Sequence, residues 1–142
     1  MINGLHQMMI TSFIILNKMS KLKLKASELR IGNWVEVIKG DYTTIQPSSF
    51  SVSIEDNYKP IPLSKKWFEK FGFKTNELDD RTIYHSLNIL DEPYCDLSLV
   101  ETRKNGNVCI YLFPYENIRL RYVHELQNLY HSLTAKELNI KQ

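Results

Sequence analysis

The Asn105–Gly106 pair, which stands between two apolar stretches, constrains the fold of this chain more than any other feature. Asn-Gly is the preferred centre of a two-residue hairpin turn because both of its residues must adopt positive φ. The turn predicts two antiparallel strands in which Lys104 faces Asn107. Alternation along these strands gives two apolar faces, one formed by Leu97, Leu99, Ile110 and Leu112 and the other by Val100, Cys109, Tyr111 and Phe113. Both faces are apolar enough to be covered, and we expect the last helix of the chain to cover one of them.

Further strand signals lie upstream of this hairpin. The segment "RTIYHSLNIL" (81–90) predicts a third strand, which makes a three-stranded antiparallel meander. Near the N-terminus, "NWVEVIKG" and "YTTI" flank a Gly40–Asp41 turn signal and predict another hairpin. The alternating segment Phe50–Glu55 predicts a half-buried strand beside it. These N-terminal strands form a small β unit, for which an SH3-like arrangement is one expectation.

Two helices are predicted as well. Ser64 suits an N-cap and Gly72 suits a C-terminal stop, so Lys65–Phe71 should form a short helix with one apolar, largely aromatic side. A second helix should begin near Tyr122. Its predicted buried stripe consists of Tyr122, Val123, Leu126, Leu129, Tyr130 and Leu133. The segment Thr134–Glu137 has the capping-box pattern and predicts one more helical turn.

The expected fold is therefore α+β, with a small N-terminal β unit, a short aromatic helix, a three-stranded antiparallel meander and a C-terminal helix packed on the sheet. A chain of 142 residues is long enough for one core, and we expect a single domain over residues 19–142. Residues 1–18 are interpreted as an upstream extension, because the sequence from Met19 is typical of a protein start. The apolar run Met8–Leu16 is too short to cross a bilayer and lacks the flanks of a signal peptide.

Charge and cysteine content restrict the classes of partner. Eighteen basic and sixteen acidic side chains leave a formal charge of +2, which is too small to indicate nucleic-acid binding by itself. The hairpin register places Cys109 opposite Thr102 and leaves Cys95 far along the neighbouring strand, so no disulfide is expected. Free thiols are typical of a reducing cytosol.

The segment "VHELQN" (123–128) approaches a zinc motif without completing it. A helical His-Glu-x-x-His motif binds zinc through two histidines, whereas here Asn128 takes the second position and the next histidine lies about 10 Å along the helix axis from the first. We therefore expect neither a metal nor a cofactor. The helix side opposite the apolar stripe carries mostly neutral polar groups, which a partner can desolvate at less cost than charges. The sequence predicts a partner surface at His124, Gln127, Asn128 and His131.

Two other functions remain open. A nucleic acid could contact basic residues near the N-terminus, with Trp34 as a stacking group. The residues concerned are Lys21, Lys23, Lys25, Arg30 and Lys39. A small hydrolase could use His85 or His124 together with a carboxylate, but no serine or cysteine in a tight glycine-flanked turn marks a nucleophile. The acidic pairs Asp79–Asp80 and Asp91–Glu92 stand beside turns, where Asp commonly accepts backbone hydrogen bonds, and we expect the protein not to be an enzyme.

Three segments resemble a group of small proteins encoded by Bacteroidetes and by their phages and mobile elements. They are "LRIGNWV" (29–35), "PIPLSKKWFEKFGF" (60–73) and "YVHELQNLYHSLTAKEL" (122–138), and they occur in the same order in that group. The resemblance covers most of the chain from Leu29 onward, and it implies no particular activity. Glu125 and His131 depart from the group's pattern, which argues against a joint role for the two histidines. If one histidine matters, the resemblance implies that it is His124.

These observations predict a non-catalytic binding protein whose partner is another protein. The resemblance implies a phage or mobile-element origin. Together with the free thiols, it also implies a location in the cytoplasm of a bacterial or phage-infected cell. No association with a membrane is expected.

Overall fold

Two antiparallel sheets organise the chain. The computed structural model describes residues 23–38 and 40–142, which form a three-stranded sheet, a five-stranded sheet and short helices. The expected α+β class is confirmed. The predicted extension, residues 1–18, lies outside the described residues. Within the described part of the chain, no helix has the length and apolar character that spanning a bilayer requires.

The N-terminal unit is built on the hairpin predicted by the Gly40 turn. Strand β1 (Trp34–Val37) pairs with β2 (Tyr42–Thr44) on one side and with β3 (Tyr58–Lys59) on the other. Val35, in β1, is fully buried. It belongs to a small separate core that also contains Leu24, Leu29, Ile45 and Ile54. Removing these side chains from water stabilises the unit.

The prediction of a strand at Phe50–Glu55 is wrong. A 3-10 helix (Pro47–Ser51) and a short α-helix, α1 (Ile54–Asn57), occupy this part of the chain. The cause is local, because the backbone N–H of Gln46 donates to Ser49 Oγ and the proline presets a helical φ at the first position. Such hydrogen bonds give the backbone an alternative to a strand. The SH3-like arrangement of the unit stays a prediction.

Helix α2 (Lys65–Lys70) forms where the sequence predicts it. Ser64 takes the N-cap position, and Phe71 is the C-cap, so the helix is one residue shorter than expected. Gly72 follows with a φ of +83°, which glycine adopts without strain. The apolar side is buried as predicted, through Trp67, Phe68 and Phe71.

The second sheet is a five-stranded meander with the strand order β4-β5-β6-β7-β8. Its strands are β4 (Lys74–Glu77), β5 (Thr82–Asn88), β6 (Asp96–Lys104), β7 (Asn107–Leu112) and β8 (Tyr115–Leu120). The three predicted strands are β5, β6 and β7. The edge strands β4 and β8 extend the meander by one strand on each side. The sequence does not predict them, because their side chains are mostly exposed and lack the apolar alternation that identifies an inner strand.

The predicted register of the central hairpin is confirmed. Lys104 pairs with Asn107, and Thr102 pairs with Cys109. The turn residues have φ values of +53° and +75°, as a type I′ turn requires. Leu97, Leu99 and Ile110 consequently lie on one face of the sheet and are buried there.

The last helix, α3 (Val123–Thr134), covers that face together with α2. The main core consists of Ile61, Leu63, Trp67, Phe68, Phe71, Phe73, Leu97, Leu99, Ile110, Leu120, Val123, Leu126 and Leu138. Leu126 is fully buried, as the stripe predicts, and Leu129 packs partly buried against the same core. Leu133 is 49% exposed, so the buried stripe is shorter than predicted.

The helical turn predicted at Thr134–Glu137 does not form. Ala135 adopts a left-handed φ of +58° and ends α3. The Thr134 hydroxyl donates to Tyr130 O and accepts from the backbone N–H of Lys136, so it closes this helix instead of capping another. The chain then continues without regular structure and buries Leu138 in the main core.

Candidate functional site

The polar strip on α3 faces the N-terminal unit instead of solvent. His124 and Gln127 are each 1% exposed, and Asn128 is partly buried. The prediction of an exposed partner surface at His124, Gln127, Asn128 and His131 is therefore corrected. His124 and Gln127 are buried, and Gln127 and Asn128 bond to residues at or before the start of β1.

Two amide side chains of the strip bond to the N-terminal unit. Gln127 Oε1 accepts from Trp34 N–H at 2.8 Å, and its Nε2 donates to Gly32 O at 3.1 Å. Asn128 Oδ1 accepts from Asn33 Nδ2 at 3.0 Å, and its Nδ2 donates to the backbone oxygen of Glu28 at 2.9 Å. Both amides thus use a donor and an acceptor, so their burial leaves these polar groups paired. We call these four hydrogen bonds the joint.

His124 is buried with one ring nitrogen unpaired. Its Nδ1 has no hydrogen-bond partner among the described residues, and its ring stacks on Tyr122 with centroids 5.7 Å apart. Burial lowers the pKa of His124 below its ordinary value, although Glu125 and Glu28 act in the opposite direction. The side chain is therefore held as a neutral ring in the folded protein.

His131 is the half-exposed member of the predicted set. Its Nε2 lies 3.9 Å from Glu137 Oε1, and the same carboxylate oxygen accepts a hydrogen bond from Arg30. Among the residues that the structure describes, no three His, Cys, Asp or Glu side chains gather in a way that could hold a metal ion. His131 lies beside the surface ion pair that Arg30 and Glu137 form near the end of α3.

The basic residues predicted to contact nucleic acid are only partly described. Lys21 and Lys39 lie outside the described residues. Lys23 Nζ lies 4.0 Å from Glu55 Oε2, and the Arg30 guanidinium is engaged by Glu137 and Asn128. Lys25 borders a hollow whose walls also carry the carboxylates of Glu28, Glu55 and Glu125. These carboxylates offset the positive potential that a nucleic acid would need here.

His85 meets a carboxylate in the interior of the protein. Its Nε2 lies 3.4 Å from Glu101 Oε1, and its Nδ1 lies 3.0 Å from Thr75 Oγ1. The ring stacks on Phe68 with centroids 3.9 Å apart. Arg103 donates to Glu101 Oε2 from Nε at 3.1 Å and from Nη2 at 2.9 Å. The histidine and the carboxylate therefore satisfy each other and their neighbours.

Sequence reasoning missed Glu101, although the register of the hairpin contains the signal. Glu101 stands opposite Ile83 and Ile110 on the helix-covered face, so an inward charge could have been read from the alternation. Burial lowers the pKa of His85, and Glu101 opposes that effect. Arg103 lines a surface hollow of about 390 Å³, but the imidazole of His85 does not.

The sheet face opposite the helices carries aromatic side chains. The pairing register sets one residue of each strand side by side, namely Asn76, Tyr84, Val100, Tyr111 and Arg119 in order from β4 to β8. We call these five residues the aromatic row. Phe113, which is 50% exposed, packs edge-on against Tyr84 with ring centroids 5.8 Å apart. The row is thereby widened at its centre.

In the described part of the chain, Tyr84 and Tyr111 of the aromatic row are partly exposed, whereas Val100 between them is only 1% exposed. Neither hydrophobic core there includes a side chain of this row. Small polar residues flank the row, among them Ser86 opposite Ser98 and Thr82 opposite Thr102. Burial, with Glu116 nearby, raises the pKa of Tyr111 above its ordinary value. The uncharged rings of Tyr84 and Tyr111, which lie on either side of the buried Val100, can pack against apolar groups and exchange hydrogen bonds.

No family model, curated protein or solved structure matches this chain. Its function therefore has to follow from the joint, the His85 network and the aromatic row. The polar groups of the joint and of the His85 network bond to other groups of the same chain. The tyrosines of the aromatic row are partly exposed, and the row is the candidate functional site.

Proposed function

We propose that this chain is a non-catalytic binding protein that holds another protein on the aromatic row. The observation that carries the proposal is a pair of partly exposed tyrosines, Tyr84 and Tyr111, that flank the buried Val100 on the face of the five-stranded sheet opposite the helices. Tyrosine and phenylalanine are enriched at protein interfaces, where charged groups are depleted. Tyrosine also supplies a large contact area at little cost in side-chain entropy.

The internal use of the ionisable groups supports a non-catalytic role. His85 and Glu101 bond to each other, to Thr75 and to Arg103, and the imidazole is fully buried. His124 is buried against Tyr122. A general base must come within hydrogen-bond reach of the proton that it removes, and neither imidazole is placed to meet a substrate from solvent.

We propose the cytoplasm of a bacterial or phage-infected cell as the place of binding. Both cysteines, Cys95 and Cys109, are free thiols, which fits a reducing compartment. The resemblance of residues 29–35, 60–73 and 122–138 to proteins of Bacteroidetes and their phages suggests a phage or mobile-element origin. The partner is then a protein of the host or of the element itself.

Single-stranded nucleic acid is the second candidate. Bases stack on exposed aromatic rings with little sequence preference, and Tyr111 of the row stands beside Arg119 at the β8 end. In this candidate, the nucleic acid would contact the five-stranded sheet and not the basic residues near the N-terminus that the sequence predicts. The candidate is weaker, because phosphate binding calls for a concentrated basic surface.

The test begins with cross-linking and affinity purification of the tagged chain from a Bacteroidetes host, followed by reconstitution with the purified partner. The double variant Tyr84→Thr/Tyr111→Thr removes both rings but keeps residues that favour a strand. The Kd of this double variant for the partner should be at least tenfold higher than that of the wild type. Tyr94→Asn removes a fully exposed tyrosine from a loop and should bind as the wild type does.

Urea unfolding of each variant separates a lost contact from a lost fold. Undiminished binding by a folded double variant would refute the aromatic row as the docking surface. Nuclease-sensitive absorbance at 260 nm, lost in the double variant and unaccompanied by a stoichiometric protein, would replace the proposal with the nucleic-acid candidate.

A further inference from the structure

Strand β7 has no neighbour beside its first three residues in the described part of the chain. On one side it pairs with β6 over its whole length, from Lys104↔Asn107 to Leu99↔Leu112. On the other side its pairing with β8 begins at Ile110↔Leu120. Among the described residues, 107–109 therefore form a free edge of the sheet.

The chain departs from the sheet beyond Leu120. The Arg121 carbonyl accepts from Leu63 N–H at 2.8 Å, and Val123 N–H donates to Ile61 O at 2.9 Å. The segment that would have continued β8 thus pairs with residues 61–63. A groove of about 730 Å³ opens between this pair and the free edge of β7.

Backbone hydrogen-bonding groups of Val108 face this groove. In a two-residue hairpin the closing residues bond to each other, here Lys104 and Asn107, and successive residues then direct their N–H and C=O groups to alternate sides. The groups of Val108 consequently point away from β6. Val108 is also 59% exposed, so a segment can approach its backbone without displacing other parts of the protein.

The groove is apolar at its base and positive at its rim. Ile110 and Leu120 supply apolar surface, and Arg119 and Arg121 are its charged lining residues. No carboxylate of the described residues lines the groove, and neither guanidinium forms an ion pair with another described residue. Each arginine also borders a second hollow that carries carboxylates, with Glu116 in the hollow at Arg119 and Glu125 in the hollow at Arg121. Guanidinium groups beside apolar surface favour a ligand that carries both carboxylates and apolar side chains.

We propose that this groove binds an extended segment of a partner protein, rich in acidic and β-branched residues, as a short additional strand beside Val108. Backbone bonds to a free strand edge give such binding its affinity, and alternate side chains give it specificity. Valine side chains would meet Ile110 and Leu120, and carboxylates would meet Arg121 and Arg119. The inference does not rest on the aromatic row, although Arg119 borders both surfaces.

The probe is a fluorescein-labelled peptide, Ser-Val-Glu-Val-Glu-Val-Ser, titrated with the full chain and followed by fluorescence polarisation at low salt. We expect saturable binding that weakens as salt rises, because exposed charges are screened. The same peptide with lysine in place of glutamate should bind at least tenfold more weakly. Equal binding of the two peptides, or no binding of the acidic one up to millimolar protein, would overturn the proposal.

Three changes test the geometry of the groove. Arg121→Glu should weaken binding at least tenfold, whereas Lys136→Glu, an equal change of charge at an exposed position outside the groove, should leave it within twofold. Val108→Pro removes an N–H that no strand of this sheet uses, and proline is tolerated at such an edge. It should also weaken binding at least tenfold. A peptide methylated on its central backbone nitrogens should show the same loss without any change in the protein.

Two further outcomes distinguish this groove from the aromatic row and from self-association. The Tyr84→Thr/Tyr111→Thr variant should still bind the peptide, so that failure of the aromatic row and failure of the groove can be told apart. We expect sedimentation to show a monomer in the absence of peptide. A dimer that excludes the peptide and dissociates on Arg121→Glu would place a second copy of the chain in the groove and would overturn the proposal of a separate partner.

Discussion

At the scale of the residue, the buried amide of Gln127 connects helix α3 to the N-terminal unit. It bonds both to Trp34 N–H and to Gly32 O, which are backbone groups near the start of β1. An exposed strip would leave stability unchanged when His124 and Asn128 are replaced by alanine together. The joint reverses that expectation, and this double variant should be destabilised.

The first prediction concerns Gln127→Ala. The change leaves two backbone groups without partners, and each unpaired buried group costs about 1 to 3 kcal/mol. Urea unfolding should show a loss of stability on that scale. Ser132→Ala, on the exposed side of the same helix, is the matched control and should stay within about 0.5 kcal/mol of the wild type. An unchanged midpoint for Gln127→Ala would mean that water replaces the amide.

The buried histidines predict how stability depends on pH. Burial lowers the pKa of His85 and of His124 from an ordinary value of 6.5. As the pH falls below about 6.5, the unfolded chain binds protons that the folded protein does not. The stability that these neutral rings contribute is therefore complete above that pH and is lost as the pH falls towards their lower folded values.

Urea midpoints at pH 7.5 and pH 5.5 measure this effect. The midpoint should be lower at pH 5.5. His124→Phe keeps a ring against Tyr122 but removes the titrating group, so the drop should become smaller. His131→Phe, at the half-exposed position, should retain the drop of the wild type. A midpoint that rises on acidification would mean that the folded protein binds protons more tightly than the unfolded chain.

At the scale of the element, the phase of α3 follows from its sequence. Val123 and Leu126 are fully buried and Leu129 is partly buried against the sheet, as the spacing of apolar residues predicts. The last turn departs from that pattern, because Leu133 is exposed and the Thr134 hydroxyl closes the helix. Capping patterns are therefore ambiguous between the end of one helix and the start of another.

Leu126→Ala tests that phase. Removing a fully buried leucine under a helix leaves a cavity and should cost about 2 to 5 kcal/mol in the free energy of unfolding. Leu133→Ala, two turns later on the same helix, should cost far less because its side chain is half in water. Equal effects of the two substitutions in urea melts would show that the helix is rotated about its axis, with Leu126 no longer facing the sheet.

At the scale of the whole molecule, two hydrophobic cores share one joint. The smaller core includes Leu24, only 1% exposed, close to the beginning of the described residues. The larger core lies between the five-stranded sheet and helices α2 and α3. The polar bonds of Gln127 and Asn128 connect the helix of the larger core to the β1 region of the smaller one.

Truncation tests where the folded unit begins. Deleting residues 1–18 should change the thermal midpoint by no more than about a degree or two, because chain termini that are not tied to a core contribute few native contacts. Deleting residues 1–25 also removes Leu24 and should lower the midpoint by several degrees. A large loss from the shorter deletion would mean that the domain extends upstream of residue 19.

The sequence by itself determined the features that depend on local chemistry. The Asn105–Gly106 turn fixed the register of β6 and β7, because few other pairs adopt its two positive φ values at so little cost. Apolar spacing placed α2 and most of α3, because a helix that packs on a sheet must present one continuous apolar side. The uncharged strip on α3 likewise indicated a contact that loses its water.

Only the tertiary structure decided which surfaces meet. The strip on α3 meets backbone groups more than ninety residues earlier in the chain, and no local pattern encodes that distance. Strands β4 and β8 form because β5 and β7 offer free hydrogen-bonding edges, so their own side chains need not alternate. The burial of His85 with Glu101, the partly exposed aromatic row and the free edge at Val108 arise in the same way, since each depends on what packs beside a strand as well as on the strand's own residues.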